Sequence, residues 1–117
     1  MLKRNRKNSK SRNTRYLDRG KFEVKINVLL LQMNRIYLPV SFARDLQRIG
    51  GSPIWRVTGP ANTQKNEFEF IVYPSGGRKR EHKFGNAWEE FCDVYRLKKD
   101  QICTFEIVSD HLMVVSI

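Results

Sequence analysis

The chain has 117 residues, of which 40% are hydrophobic and 11% aromatic, as expected for a single compact domain. Its net charge is +10, and residues 1–21 hold nine of the 22 basic residues but only one of the 12 acidic residues. This asymmetry is typical of a nucleic-acid or membrane-surface partner, and it also suits a nuclear import signal. The longest apolar runs, such as residues 28–31, are far too short to span a bilayer, so we expect no membrane partner.

Residues 1–20 are polar, basic and aperiodic. They contain few large apolar side chains, so they cannot bury enough surface to offset the entropy of ordering. We therefore predict that residues 1–20 form a basic disordered tail. Gly20 marks its boundary with a globular domain over residues 21–117.

The domain contains short alternating segments separated by turn residues. They predict seven strands, at residues 22–26, 35–39, 53–58, 67–73, 80–84, 102–108 and 112–117. Two short helices are predicted, one over residues 42–48 with Ser41 as its cap, and one opened by Asn86 with Glu89 completing a capping box. Many short strands with two isolated helices favour a mainly β fold, a small barrel, over a parallel sheet.

The residues that could perform chemistry are few. Cys92 and Cys103 lie in apolar contexts without a C-x-x-C pair, which indicates buried reduced thiols in an intracellular protein and argues against a zinc site. His82 and His111 have no partner pattern for metal binding or nucleophilic catalysis. We therefore expect no enzyme activity, no metal or other cofactor, and no small-molecule substrate.

The most informative stretch is residues 73–83. A strand leads into Pro74, Ser75, Gly76 and Gly77, which together indicate a turn that permits close backbone approach to another molecule. The next six residues contain four cations and only one acid, Glu81; the cations are Arg78, Lys79, Arg80 and Lys83. The pattern predicts an arm that contacts a polyanion. The alternative is an ordinary solvated hairpin tip.

Several blocks in this order are similar to a known family. They are residues 34–39 (NRIYLP) with Phe42 and Leu46, then Trp55 and Val57, residues 84–91 (FGNAWEEF), Leu97 with Asp100, and residues 103–107 (CTFEI). Over roughly residues 21–117 the chain resembles the plant B3 DNA-binding domain. The strand with Cys103, Phe105 and Glu106 is most similar to the reproductive-meristem branch. Two positions depart from the pattern: Lys99 replaces the usual Gly before Asp100, and Asn86-Ala87 precede Trp88 where Gly is common.

The resemblance implies an open seven-stranded β-barrel with two short α-helices, which binds double-stranded DNA in the nucleus as part of a transcription factor. Two arms would contact the major groove. The first arm, residues 25–35, would use Lys25, Asn27, Gln32, Asn34 and Arg35. The second arm, residues 73–83, would use Tyr73, Ser75, Gly76, Gly77, Arg78, Lys79, Arg80 and Lys83. Residues 28–31 either pack beneath the first arm or contact thymine methyl groups, and we favour packing.

Two other functions compete with duplex binding. A basic barrel could bind RNA or single strands, but that class relies on exposed aromatic side chains. Here Trp55, Trp88, Phe91, Tyr95 and Phe105 are predicted to be core residues, which leaves Tyr37 and Tyr73 as the exposed candidates. The other alternative is a nuclear protein-interaction domain whose basic tail serves only import.

Overall fold

The computed structural model describes residues 13–61, 65–74 and 82–117. Within these ranges the chain forms eight strands and three helices. The strands are β1 (Thr14–Asp18), β2 (Lys21–Lys25), β3 (Arg35–Tyr37), β4 (Ile54–Thr58), β5 (Glu67–Pro74), β6 (His82–Gly85), β7 (Ile102–Ser109) and β8 (Leu112–Ser116). The helices are α1 (Val28–Leu31), α2 (Val40–Ile49) and α3 (Trp88–Val94).

The strands form one sheet in the order β1-β2-β7-β8-β4-β5-β6-β3. Neighbouring strands are antiparallel except β4 and β8, which run parallel in the described part of the chain. β1 and β3 are the two edges of this sheet. The sheet curls around one common core and forms an open barrel. The predicted mainly β, barrel-like fold is confirmed, with eight strands instead of seven and three helices instead of two.

The additional strand is β1, which lies inside the segment predicted to be disordered. It pairs with β2, with Thr14 opposite Val24 and Tyr16 opposite Phe22. The disorder prediction is therefore wrong for Thr14–Asp18, because pairing with a strand edge compensates for the lack of apolar side chains. Residues 1–12 of the predicted tail lie outside the described residues.

Aromatic rings fill the interior of the barrel. Phe105 lies among them, with its ring centroid 5.0 Å from Phe22 and 5.8 Å from Phe84. Phe70 stacks on Phe84 at 4.5 Å, and Trp88 stacks on Phe91 at 5.9 Å. Trp55, Trp88, Phe91 and Phe105 are buried as predicted, and Tyr95 is half-buried against them. Such ring pairs add about 0.5–1.5 kcal/mol each beyond the burial of their surface.

Helix α2 differs from its predicted boundaries. Its N-cap is Pro39 and its first residue is Val40, so Ser41 is not the cap. Phe42 and Leu46 are buried, whereas Ile49 in the last turn is exposed. Gly50 ends the helix at φ 68, with its N–H donating to Leu46 O at 3.0 Å. The helix thus ends one residue after its predicted end, and glycine adopts this left-handed conformation without steric cost.

Helix α3 begins without the predicted capping box. Its N-cap is Ala87, whose side chain cannot accept a hydrogen bond, and Asn86 precedes it at φ 78. Trp88, Phe91 and Cys92 are buried, which confirms the predicted core positions of Trp88 and Phe91. The acids Glu89 and Glu90 in its first turn interact favourably with the positive end of the helix dipole.

The turn between α3 and β7 accommodates the unusual Lys99. The left-handed residue is Asp100 at φ 76, a conformation that aspartate tolerates better than most residues. Asp100 N–H donates to Ile26 O at 2.8 Å. This bond ties the turn to the chain segment that leads from β2 into the first arm.

Candidate nucleic-acid interface

The first arm contains the one-turn helix α1. Asn27, at extended φ −131 and ψ 172, caps it, and its Oδ1 accepts a hydrogen bond from Leu30 N–H at 2.8 Å. Leu30 is buried, and its carbonyl oxygen accepts a bond from Trp88 Nε1–H at 2.9 Å. Trp88 thus holds the first arm against α3, and Trp88→Ala would cost about 3–5 kcal/mol through lost burial and the cavity together. Asn27 is half-buried and serves the fold as a cap.

Residues 28–31 lie in two different environments. Leu30 is buried and Leu31 packs against the core, which confirms packing for these two. Val28 and Leu29 remain 56% and 62% exposed. A single helical turn cannot direct four successive side chains inward, because neighbours point about 100° apart. The first arm therefore presents two adjacent apolar side chains on its surface.

The remaining predicted residues of the first arm are exposed. Lys25 ends β2, and Gln32 follows α1 as its C-cap. Asn34 Oδ1 accepts a hydrogen bond from Glu89 N–H at 3.1 Å, so Asn34 caps α3 from a position 55 residues earlier in the chain. Arg35 begins β3 with its side chain exposed. The arm therefore combines two capping asparagines with the exposed polar residues Lys25, Gln32 and Arg35.

The base of the second arm lies beside β3. Ile36 pairs with Phe84, and both side chains point into the core. Since side chains alternate along a strand, Arg35, Tyr37 and Lys83 lie on the opposite face. Lys83 Nζ lies 5.8 Å from the centre of the Tyr37 ring, within reach of a cation–π contact. The structure thus brings one cation from each predicted arm to the outer face of β3 and β6.

The second arm leaves the sheet between β5 and β6. Tyr73 pairs with Lys83, and Pro74 pairs with His82, at the last described positions on either side. Ser75, Gly76, Gly77, Arg78, Lys79 and Arg80 lie outside the described residues. Their predicted contacts stay predictions, supported by where the chain leaves β5 and returns in β6.

His82 anchors the return of the second arm, a role the sequence did not indicate. Its carbonyl oxygen accepts a bond from Leu38 N–H at 2.9 Å, and its Nε2 lies 3.4 Å from Gln47 Nε2. Its Nδ1 is buried and has no hydrogen-bond partner among the described residues. The only sequence signal was the alternation with Phe84, which places His82 toward the core.

Burial raises the pKa of both Cys92 and Cys103 to about 12, so neither thiol is poised to act as a nucleophile. Within residues 13–61, 65–74 and 82–117, no three His, Cys, Asp or Glu side chains converge to hold a metal ion. In the same ranges no helix has the length and apolar character needed to cross a membrane.

Comparisons with known proteins agree with this geometry. The family model of the B3 DNA binding domain matches residues 22–117. No curated protein sequence matches the chain significantly. Among solved structures, the chain is similar to the Arabidopsis FUS3-DNA complex, with a TM-score of 0.53 and 12% sequence identity over 81% of this chain and 92% of that chain. That similarity shows a shared fold, and the match over residues 22–117 shows that the chain belongs to the B3 DNA-binding domain family.

Proposed function

We propose that this chain is a double-stranded DNA-binding module of a plant transcription factor, which contacts the major groove with its first and second arms. The match of the family model over residues 22–117 is the observation that carries the proposal. The outer face of β3 and β6 supports it, because Arg35 and Lys83 stand there at the bases of the two arms. Arginine suits both guanine edges and phosphates.

The aromatic side chains do not favour the single-strand alternative. All seven phenylalanines and both tryptophans lie among the described residues, and all are buried. Proteins that bind single strands or RNA stack bases on exposed rings. The duplex remains the ligand best suited to this surface.

A gel-shift comparison tests the ligand class directly. The same sequence is offered as duplex DNA, single-stranded DNA and RNA at several salt concentrations. We expect the duplex to bind most tightly. Its affinity should fall as salt rises, because Lys and Arg side chains release counterions from the phosphates and this release is less favourable at higher salt. Tighter binding of either single-stranded ligand would contradict the proposal.

Arg35 tests base contact in the first arm. On a duplex selected from a random pool, Arg35→Ala should lose about 1–3 kcal/mol of binding, and much less on a scrambled duplex, if it contacts a base edge. Arg44→Ala is the matched control, because Arg44 is an exposed arginine on α2, outside both arms. Equal losses on both duplexes would assign Arg35 to phosphate contacts.

We further infer a non-enzymatic, nuclear role and membership of the reproductive-meristem branch. Buried, protonated thiols support the first inference, and the cations of the N-terminal tail support nuclear import. The segment Cys103-Thr104-Phe105-Glu106 in β7, followed by the short β8, supports the branch. A fluorescent fusion of the full chain should accumulate in plant nuclei, and uniform cytoplasmic fluorescence would contradict the localisation.

A further inference from the structure

The turn between α3 and β7, residues 95–101, holds the start of the first arm. Ile26 bonds to this turn through both of its main-chain groups: its N–H donates to Gln101 O at 2.9 Å, and its carbonyl oxygen accepts from Asp100 N–H at 2.8 Å. Gln101 also braces the turn, because its Oε1 accepts a hydrogen bond from Lys98 N–H at 2.6 Å. Ile26 is 1% exposed, so the start of the arm is fixed within the core.

Helix α3 holds the middle and the end of the first arm. Trp88 Nε1–H donates to Leu30 O at 2.9 Å, and Asn34 Oδ1 accepts from Glu89 N–H at 3.1 Å. Trp88 is fully buried, so its indole does not reach a ligand outside the protein. One unit, α3 with the turn after it, therefore bonds to the first arm at positions 26, 30 and 34.

These three positions lie beside the side chains predicted to contact DNA. Lys25, Gln32 and Arg35 are exposed, and each lies within two residues of position 26, 30 or 34. Helix α1, which lies between them, has a single turn and is too short to be stable by itself. The conformation of the first arm therefore depends on its bonds to α3 and to the turn after it.

We propose that α3 and the turn after it position the first arm for base recognition, with Trp88 and Gln101 as the positioning residues. The proposal rests on the proposed duplex-binding function. A contact with a base edge requires a fixed geometry of donors and acceptors. A contact between a cation and a phosphate carries no sequence information and tolerates movement of a flexible side chain. Loosening the first arm should therefore reduce discrimination between DNA sequences more than it reduces binding to duplex DNA in general.

A pair of tryptophan variants tests the bond to Leu30. Trp88→Phe removes the indole N–H and keeps an aromatic ring. Trp55→Phe is the matched control, because Trp55 is also buried and lies on β4, outside both arms. Affinities are measured for a duplex selected from a random pool and for a scrambled duplex, under conditions in which each variant is folded. Trp88→Phe should weaken binding to the selected duplex by about fivefold or more, and to the scrambled duplex by less than about twofold. Trp55→Phe should leave the ratio of the two affinities unchanged.

Amide hydrogen exchange of the free protein detects the loosening directly. The N–H groups of Leu31, Gln32 and Met33 donate to carbonyl oxygens within the first arm. Their exchange should be faster in Trp88→Phe than in the wild type, when compared with amides of the central strand β7, which report global unfolding. In Trp55→Phe any increase should affect the arm and β7 alike, as a loss of overall stability would.

A milder pair of variants tests the turn after α3. Gln101→Ala removes the oxygen that accepts the bond from Lys98 N–H, and Gln101→Glu retains an acceptor at the same position. Gln101→Ala should lower the ratio of the affinities for the selected and scrambled duplexes. Gln101→Glu should restore this ratio, although its charge weakens binding to both duplexes.

The outcomes separate this proposal from the proposed function. A wild-type protein that does not bind duplex DNA would overturn both. If the wild type binds and discriminates, the positioning is wrong when Trp88→Phe retains the wild-type ratio, or when both tryptophan variants lose it alike; duplex binding then stands. A wild type that binds both duplexes equally would also overturn the positioning alone. If Trp88→Phe does not fold, the Gln101 variants decide, and a wild-type ratio in Gln101→Ala would overturn the positioning.

Discussion

Asn34 stabilises the fold through its side-chain oxygen, a role that neither the pattern nor the resemblance indicated. It supplies the cap that Ala87 cannot provide, by accepting a bond from Glu89 N–H at 3.1 Å. The predicted contact with DNA is a separate property of the same side chain. The two can be separated because an aspartate retains the acceptor oxygens and loses the amide donor.

We expect Asn34→Ala to lower the free energy of unfolding by about 1 kcal/mol, the usual cost of a lost helix cap. Asn34→Asp should retain that stability, because aspartate caps well and its charge suits a helix N-terminus. If the amide contacts DNA, both variants should bind the duplex more weakly. Denaturant unfolding and gel-shift titration measure the two effects, and equal stability loss in both variants would contradict the capping role.

The two thiols give a prediction about pH. Burial raises the pKa of Cys92 and Cys103 to about 12 from the ordinary value of 9.0, so the unfolded chain loses these protons at lower pH than the folded protein. Their contribution to stability is complete below pH 9 and declines as the pH rises towards 12. The double variant Cys92→Ala/Cys103→Ala should therefore lose less stability than the wild type over this range, measured by denaturant unfolding.

Iodoacetamide provides a direct check on the same thiols. At pH 8.5 the folded protein should resist alkylation, because the reactive thiolate is scarce, and denaturant should make both thiols reactive. Rapid alkylation of the native protein would contradict the burial of Cys92 and Cys103.

At the scale of elements, α1 presents apolar side chains on a surface that is predicted to contact DNA. Its exposed apolar pair, Val28 and Leu29, lies beside Asn27 and Gln32. The major groove offers one apolar group at each A·T pair, the thymine methyl. Whether Val28 and Leu29 contact thymine methyl groups can therefore be tested with DNA that lacks this group.

Replacing thymine by uracil in the selected duplex should weaken binding by about fourfold for each contacted methyl, since burying one methyl group contributes about 0.8 kcal/mol. The double variant Val28→Asn/Leu29→Asn, which removes both exposed apolar side chains, should bind the two duplexes equally. Its stability should stay within about 0.5 kcal/mol of the wild type, because both side chains are exposed. Equal affinity of the wild type for both duplexes would exclude a methyl contact.

Elements with local signals could be predicted from the sequence. The alternating strands depend on neighbours in the chain, and they were found. β1 was not predicted, because it has few large apolar side chains and because Asp45, which accepts a hydrogen bond from Tyr16, is distant in the chain; the cap of α3 was not predicted, because Asn34 is distant as well. Tyr16 is 29 residues from Asp45, and Asn34 is 55 residues from Glu89. Of the site, the arms were located by composition and resemblance, whereas the Tyr37–Lys83 contact depends on strand register.

At the scale of the whole molecule, the cations of the second arm should contribute to DNA binding and little to folding. The triple variant Arg78→Ala/Lys79→Ala/Arg80→Ala should lose most duplex binding with little change in Tm. If the arms and the N-terminal segment contact about six phosphates, log K should fall with log salt at a slope of about −5, and the triple variant should reduce that slope by up to about 2.7.

The matched control for this variant removes three other cations. Arg44, Lys98 and Lys99 are exposed and lie outside both arms. Replacing all three by alanine lowers the net charge equally and should leave the slope nearly unchanged. If both triple variants weaken binding alike, overall charge accounts for the effect and the second arm has no specific role.

The position of β8 has a consequence for how the domain is made. β8 is the last strand in chain order, yet it lies between β7 and β4 and is the strand through which β1-β2-β7 joins β4-β5-β6-β3. As the protein emerges from the ribosome, the two halves of the sheet stay unjoined until residues 112–116 arrive, and such long-range pairing folds slowly. On ribosomes stalled at successive lengths, resistance to protease should appear only once β8 has left the exit tunnel. Resistance in shorter nascent chains would show that one half folds independently. Until then, the aromatic core is exposed to chaperones.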